Sequence, residues 1–210
     1  MIAEPQARGM DVTTECYPYT SGSIPLQTTI FDPGWQERLG IDYKDLIWAE
    51  TGERLTEKSF TRYRKTTSTK RVIYTPLTEN MVKAAISNPL TMIISDGNRY
   101  HPREAGTYSR VLGKYVREEQ ALTLMEALRK MTIMPARRLE MRAPMMKKRG
   151  RIGVGADADI TVFDPTRIID SATIEQPSRS SEGVQYVLVS GVLVVKDGKL
   201  QYGVMPRDGM

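Results

Sequence analysis

The sequence has a single cysteine, no apolar leader and no long apolar run. One cysteine, Cys16, excludes an internal disulfide, so nothing in the sequence requires an oxidising compartment. The first residues lack the apolar core of a signal peptide, and no stretch approaches the roughly 18 apolar residues of a membrane span. We therefore expect a cytoplasmic protein without a membrane segment.

The length of 210 residues limits the architecture. A complete (β/α)8 barrel typically needs about 250 residues, so a whole barrel and a further sheet do not fit. Residues 2–9 have the pattern of a helix end closed by Gly9, and Asp11 to Cys16 has the pattern of a strand. This order predicts a chain that starts inside an α/β unit.

The region before the next predicted strand is irregular. It contains Pro, Gly and Asp signals, and we expect its large aromatic side chains, Phe31, Trp35 and Trp48, to be packing anchors and not ligand contacts. Residues 53–70 are polar and basic and carry no clear periodicity. We treat residues 20–70 as a loop insertion.

A β-α-β pattern follows. Arg71 to Tyr74 is predicted to form a strand, Thr78 to cap a helix that ends near Asn88, and Leu90 to Ser95 to form a buried strand. A crossover of this length predicts that the two strands are parallel neighbours, with Asp96 at the C-terminal end of the second.

Further helices precede a change of period. Tyr108 to Glu118 is predicted to be helical, Thr123 with Glu126 forms a capping box, and Pro135 fits the start of a short helix. From Gly150 onward, alternation and turn signals predict strands, including a hairpin at Ser190-Gly191. Residues 1–145 and 146–210 are therefore predicted to be separate domains, the second a small β-structure.

Ser95-Asp96-Gly97 ends an apolar run and leads into a loop that holds the only histidine, His101. A strand that delivers a carboxylate to a loop is how an α/β barrel positions a catalytic group at its C-terminal rim. An ordinary turn has the same pattern, because Asp and Gly both tolerate turn backbone angles. The pattern alone leaves both interpretations open.

Three longer strings resemble the N-acyl-D-amino-acid deacylases (D-aminoacylases), a branch of the amidohydrolase superfamily. The strings are the stretch from Asp11-Val12-Thr13 through Tyr17-Pro18-Tyr19-Thr20-Ser21-Gly22-Ser23, the stretch from Ile94-Ser95-Asp96-Gly97 through His101-Pro102-Arg103 to Gly113, and the stretch from Ala127 through Ala156-Asp157-Ala158-Asp159-Ile160. The resemblance implies an α/β fold made of the C-terminal portion of a TIM-type (β/α)8 barrel followed by a small β-sandwich segment. It also implies a metal-dependent hydrolase of linear amide bonds, which converts an N-acyl-D-amino acid to a D-amino acid and a carboxylate.

The resemblance assigns site residues. Asp96 matches the carboxylate that moves the proton in catalysis and belongs to the metal site, and Arg103 matches an arginine that binds the substrate α-carboxylate. Tyr17 and Tyr19 are expected to line the substrate pocket, with wall packing the alternative. His101 is placed with the substrate-binding residues, with ordering of its loop the alternative.

The resemblance also implies zinc, which needs about three protein ligands. The matching family takes them mainly from histidines on strands that this sequence does not contain, and here one histidine is present. We expect the chain alone to bind zinc poorly and to lack turnover, and to need a partner chain that supplies the N-terminal half, or to self-associate. The alternatives are a non-catalytic fragment or structural subunit, and a basic nucleic-acid-binding module that uses the basic runs 62–65 with 70–71 and 147–151.

Overall fold

In the computed structural model, which describes residues 2–66 and 70–206, the chain folds into seven α-helices and nine strands. The helices are α1 (Ala3–Ala7), α2 (Trp35–Leu39), α3 (Glu57–Arg64), α4 (Glu79–Ser87), α5 (Arg103–Arg110), α6 (Leu124–Met131) and α7 (Ile133–Leu139). The strands are β1 (Thr14–Cys16), β2 (Gly22–Pro25), β3 (Ile47–Trp48), β4 (Arg71–Tyr74), β5 (Thr91–Ile93), β6 (Ile160–Phe163), β7 (Val184–Val189), β8 (Val192–Lys196) and β9 (Lys199–Leu200). Parts of the predicted 20–70 insertion and 146–210 domain, at 67–69 and 207–210, lie outside the described residues.

Two parallel strands, β1 and β5, lead into the loops that carry Tyr17 and Asp96. Cys16 pairs with Ile93, and all of β5 is buried. The helix α4 leads into β5, and it starts at Thr78, whose hydroxyl accepts the N–H of Met81. The predicted helix and buried strand are thus confirmed.

The predicted partner of β5 was wrong. We expected Arg71–Tyr74 beside it, but β4 pairs antiparallel with β2 on one side and β3 on the other. Both edges of β4 are therefore occupied, and β5 instead pairs with β1. Strand pairing is a non-local property that the β-α-β order alone did not determine.

Residues 20–66 are more ordered than their composition suggests. Phe31, Trp35 and Trp48 are all buried in a cluster of aromatic and aliphatic side chains, which confirms their role as packing anchors. The helix α3 was not predicted, because its sequence is polar. At its start the side chains of Thr56 and Ser59 each accept a hydrogen bond from the other's backbone N–H, and Phe60 packs into this cluster. The cluster also packs against β4 through Val72.

A second cluster joins the helices to the parallel pair. The capping box Thr123–Glu126 begins α6 as predicted, and α5 continues directly into a π-helical segment, Val111–Glu118. Side chains of α4, β5 and this segment meet in one core, which Ile168 also enters. Lys130 of α6 is buried, and its ammonium donates to the carbonyl oxygen of Thr91 at 2.9 Å.

The C-terminal strands β6 to β9 form an antiparallel sheet in sequence order. The predicted hairpin is confirmed: Ser190 and Gly191 have φ values of 50° and 78°, as a tight turn of type I′ requires. No helix within 2–66 and 70–206 has the length and apolar character to cross a bilayer.

Candidate active site

Asp96 lies just beyond the C-terminal end of β5. The N–H of Ile94 donates to the carbonyl oxygen of Cys16 at 3.0 Å. The loops that follow β1 and β5 therefore both start at the C-terminal end of this strand pair. Asp96 has a φ of 42°, in the left-handed region that Asp tolerates better than most residues. Tyr17 follows β1 directly, so both residues lie at the same end of the parallel strand pair.

Asp96 and Arg103 are in direct contact. The Nη2 of Arg103 lies 2.7 Å from Oδ2 of Asp96, and its Nε donates to the backbone carbonyl of Asp96 at 2.6 Å. The Arg103 side chain is 2% exposed, whereas that of Asp96 is 56% exposed. The guanidinium also lies 4.6 Å from the centre of the Tyr17 ring. A buried cation is thereby compensated by a carboxylate that still faces solvent.

His101 is fully buried, and both ring nitrogens are occupied. Nδ1 accepts the backbone N–H of Arg103 at 3.1 Å, so in the neutral ring Nε2 carries the proton and donates to Ser21 Oγ at 2.9 Å. Burial, and then the positive charge of Arg103, lower the pKa of His101 to about 4. The ring joins the loop after β1 to the start of α5 and has no nitrogen left for a substrate or a metal.

We predict that the single imidazole signal in an NMR titration from about pH 3 to pH 8 will have its midpoint near the folded pKa of about 4 and not at the ordinary value of 6.5. Between these values the unfolded chain binds a proton that the folded chain does not. Protonation of His101 therefore does not affect the free energy of unfolding above pH 6.5. As the pH falls from 6.5 toward 4, protonation of the unfolded chain lowers the free energy of unfolding by about 3 kcal/mol.

The control is His101→Asn, which keeps an acceptor for the Arg103 N–H but does not ionise. Urea unfolding of this variant is expected to lose most of its pH dependence between about pH 6.5 and pH 5, since carboxylates act mainly at lower pH. An imidazole midpoint at the ordinary value would contradict the buried, neutral assignment.

Tyr19 and Tyr17 occupy different environments. Tyr19 is 6% exposed, its ring packs edge-on against His101, and its hydroxyl lies 3.3 Å from Asp170. Arg110 closes this network by contacting Asp170 at 3.3 Å. Tyr17 is only half-buried, and its ring lies against Arg103. Of the two tyrosines, Tyr17 has the position from which a ligand can be contacted.

Tyr17 and Arg103 form one wall of the candidate site. Ser23 and Arg71, which the sequence interpretation did not select as site residues, complete this wall. Arg71 of β4 donates through Nε to Ser23 Oγ at 3.1 Å, and its Nη2 donates to the Ser23 carbonyl. A Cβ on the neighbouring Gly22 would lie 3.2 Å from the Tyr17 hydroxyl and 3.3 Å from the Tyr74 ring. The serines were visible in the string that follows β1, but Arg71 reaches the site only through the β2–β4 register.

The described residues do not form a metal site. Within 2–66 and 70–206 there is no group of three or more His, Cys, Asp or Glu side chains that could hold an ion. Asp96 is paired with Arg103, His101 has no free nitrogen, and burial raises the pKa of the Cys16 thiol to about 11. These residues do not fit the three-ligand set of a catalytic zinc.

The basic runs make contacts within the chain. Arg64 pairs with Asp32, and Lys70 pairs with Glu50 at 2.7 Å. In the second run Arg151 lies 2.9 Å from Glu140. Several of these cations are thus neutralised locally, which gives no specific support to a nucleic-acid surface.

A family model described as "Amidohydrolase family" matches residues 60–195. The chain belongs to the amidohydrolase family. This match confirms the resemblance to the amidohydrolase superfamily inferred from the strings around Asp96 and Ala127.

Within that family the curated relatives are deacylases. The chain is 35% identical over 208 residues to the N-acyl-D-glutamate deacylase of Alcaligenes xylosoxydans xylosoxydans, covering 92% of this chain and 40% of the relative. It is 31% identical over 194 residues to the N-acyl-D-aspartate deacylase of the same organism, covering 86% of this chain and 37% of the relative. The chain thus spans about two fifths of the length of these relatives.

Solved structures agree with this assignment. A D-aminoacylase matches with a TM-score of 0.77 at 28% identity, over 96% of this chain and 43% of that protein. The N-acyl-D-glutamate deacylase from Bordetella bronchiseptica matches with a TM-score of 0.76 at 30% identity, over 95% and 44%. The latter was solved with zinc and a phosphonate inhibitor that mimics the tetrahedral intermediate. The mixed α/β fold predicted from the sequence is therefore confirmed.

Proposed function

We propose that the chain supplies the proton-transfer and carboxylate-binding residues of a zinc-dependent deacylase that hydrolyses N-acyl-D-amino acids. The observation that carries this proposal is the contact between Asp96 and Arg103 at the end of a parallel strand, with Nη2 and Oδ2 2.7 Å apart. A solvent-facing carboxylate beside a buried guanidinium provides one group for moving protons and one for binding an anionic substrate.

Asp96 acts in this proposal as the general base and then the general acid. Its carboxylate accepts a proton from the attacking water and donates it to the nitrogen of the leaving amine, so that the C–N bond breaks with no net change in the protonation of Asp96. Arg103 binds the substrate α-carboxylate, and Tyr17 lines the same wall. Tyr19 and His101, both buried, hold the two loops in position.

The contact between Asp96 and Arg103 has a consequence for substrate binding. Arg103 uses Nε and Nη2 for Asp96, while its Nη1 donates to none of the described residues. In this proposal the substrate carboxylate takes Nη2 of Arg103 from Asp96 when it binds. The same exchange releases the Asp96 oxygens for proton transfer.

We further propose that β1, α4, β5 and α5 are units of a (β/α)8 barrel and that residues 1–145 and 146–210 are two domains. The parallel register of β1 with β5, and the separate antiparallel sheet β6–β9, support this division. Within the described residues β1 and β5 form a sheet of two strands, so each has an unpaired edge. We infer that a partner polypeptide covers these edges and supplies the zinc ligands.

This proposal is tested on the purified chain, alone and refolded with the part of the N-acyl-D-glutamate deacylase relative that the chain does not match. We expect the chain alone to retain much less than one zinc after dialysis and to release no amino acid from N-acetyl-D-glutamate, because the described residues lack a ligand set. The assembly is expected to gain both zinc and turnover. Metal content is measured by mass spectrometry, and amino-acid release by a coupled assay.

The outcomes separate the candidate functions. Near-stoichiometric zinc with turnover in the chain alone would show that the metal ligands are misassigned. An assembly that forms and binds zinc but remains inactive would favour a non-catalytic structural subunit, the alternative that the missing ligand set supports.

A further inference from the structure

Arg110 of α5 binds the chain directly after Tyr17. Its Nε donates to the carbonyl oxygen of Pro18 at 2.8 Å, and its guanidinium lies 4.8 Å from the centre of the Tyr19 ring. One arginine therefore contacts both the backbone and a side chain of this short stretch. The residue before a proline is restricted to extended backbone angles, so holding Pro18 also limits the directions in which the Tyr17 side chain can point.

The counter-ion of Arg110 is Asp170, which lies in the segment between β6 and β7. Nη1 of Arg110 lies 3.3 Å from Oδ2 of Asp170, whose side chain is 7% exposed. A second carboxylate, that of Glu79, lies 3.6 Å from Nη2 of Arg110, but it is 52% exposed and also pairs with Lys114 at 2.7 Å. Because an exposed and shared carboxylate contributes little, Asp170 is the group that fixes the Arg110 guanidinium.

Asp170 also contacts the same stretch directly. The Tyr19 hydroxyl lies 3.3 Å from Oδ2 of Asp170 and 3.4 Å from the carbonyl oxygen of Pro102, and its one proton is shared between them. The packing is close, because a Cβ added to Gly106 of α5 would lie 2.5 Å from the Tyr19 hydroxyl and 2.8 Å from Cβ of Asp170. Oδ2 of Asp170 is thus in contact with Tyr19 and with Arg110.

A different contact holds the far end of this loop. His101 donates to Ser21, which is four residues after Tyr17. Arg110 binds the residue that follows Tyr17 directly. The position of the Tyr17 ring, 4.6 Å from the Arg103 guanidinium, therefore depends mainly on Arg110.

We propose that Asp170 is a positioning residue of the candidate site. It holds Arg110 and Tyr19, which fix the loop after β1. The Tyr17 ring is thereby kept against Arg103. The segment between β6 and β7 is then part of the support of the site and not only a connection between two strands. The effect of Asp170 on turnover rests on the proposed function, whereas its effect on the position of Tyr17 does not.

The first test uses the chain alone and needs no substrate. The Nε–H of Arg103 is buried and hydrogen-bonded, so its NMR signal is protected from exchange with water, and the neighbouring Tyr17 ring shifts this signal. Tyr17→Leu defines the position of the signal without the ring. We expect Asp170→Asn to move the signal from the wild-type position toward that of Tyr17→Leu, because the amide removes the charge that holds Arg110.

Two further variants separate positioning from a general loss of stability. Glu175→Gln makes the same acid-to-amide change at an exposed position of the same segment and is expected to leave the signal unchanged. Arg110→Lys keeps a positive charge but removes the Nε donor to Pro18, so it is expected to move the signal as Asp170→Asn does. If Asp170→Asn does not fold, Arg110→Lys decides. A variant that loses free energy of unfolding in urea but keeps the wild-type signal would overturn the inference, since its role is then purely structural.

The second test measures the consequence for catalysis. In an active, zinc-containing assembly we expect Asp170→Asn to lower kcat/KM about tenfold, mainly through KM, because a displaced wall binds substrate less well while Asp96 and Arg103 stay paired. An unchanged kcat/KM would refute the role of Asp170 in positioning the site. If the wild-type assembly has no turnover, the proposed function fails, and the Arg103 signal of the chain alone still decides the role of Asp170.

Discussion

Replacing Asp96 by Asn in an active, zinc-containing assembly is expected to lower kcat/KM for N-acetyl-D-glutamate by a factor of about 100 to 10 000, the range associated with loss of a general acid–base. The amide preserves the size of the side chain and can still accept a hydrogen bond from Arg103, so the buried guanidinium remains partnered. It cannot take up a proton near neutral pH. The loss is therefore expected in kcat, with a smaller effect on KM.

A matched control is available elsewhere in the chain. Asp197 is exposed in the turn between β8 and β9 and has a φ of 52°, so its backbone is in the same left-handed region as that of Asp96 at 42°. Asp197→Asn makes the same chemical change on a comparable backbone and is expected to change the rate less than about twofold. Rates normalised to bound zinc separate a catalytic defect from loss of metal. An Asp96→Asn enzyme within tenfold of wild type would remove Asp96 from proton transfer.

The second large effect is expected at Gly183, which joins the C-terminal sheet to the helical core. Its φ is +82°, and an added Cβ would lie 2.5 Å from Ile168 N and 2.7 Å from Arg167 C, both backbone atoms that cannot rotate away. Ile168 is itself 2% exposed in the core. We expect Gly183→Ala to lower the free energy of unfolding by about 3 kcal/mol, the sum of roughly 1 kcal/mol for the backbone conformation and about 2 kcal/mol for overpacking.

Gly155→Ala separates these two costs. Gly155 has nearly the same φ, +81°, but nothing lies within 4 Å of its added Cβ. We expect this variant to lose only about 1 kcal/mol in urea unfolding, with an unchanged denaturant slope. Equal losses in the two variants would show that the backbone at 167–168 relaxes and that the close approach to Gly183 is not a constraint.

The sequence predicted features that depend on neighbouring residues. Thr78 caps α4 and the Thr123–Glu126 box begins α6 because these hydrogen bonds close within one turn of the chain. It did not predict the partner of β5, because strand pairing depends on which edges remain free after the rest of the sheet has formed. It also missed α3, where the cap uses Ser59 in place of Glu or Gln and the charged residues hide the burial of Phe60.

The candidate site, like the fold, was predicted only in part from the sequence. The strings around Tyr17 and Asp96 selected Asp96, Arg103 and Tyr17 as candidate site residues, and in the structure Arg103 contacts both of the others. They did not show that Arg103 contacts Asp96, or that both nitrogens of His101 are occupied, since these facts depend on side-chain orientation across two loops. Arg71 was not selected because its position depends on a strand register that no local pattern specifies.

His101 also affects how the site moves. Its ring accepts a hydrogen bond from the chain that follows β5 and donates one to Ser21 on the chain that follows β1. Displacement of either loop lengthens one of these bonds, so thermal fluctuations of the two loops are correlated. We therefore expect the loop after β1 and the loop after β5 to move together, because displacing one of them alone breaks a hydrogen bond of His101.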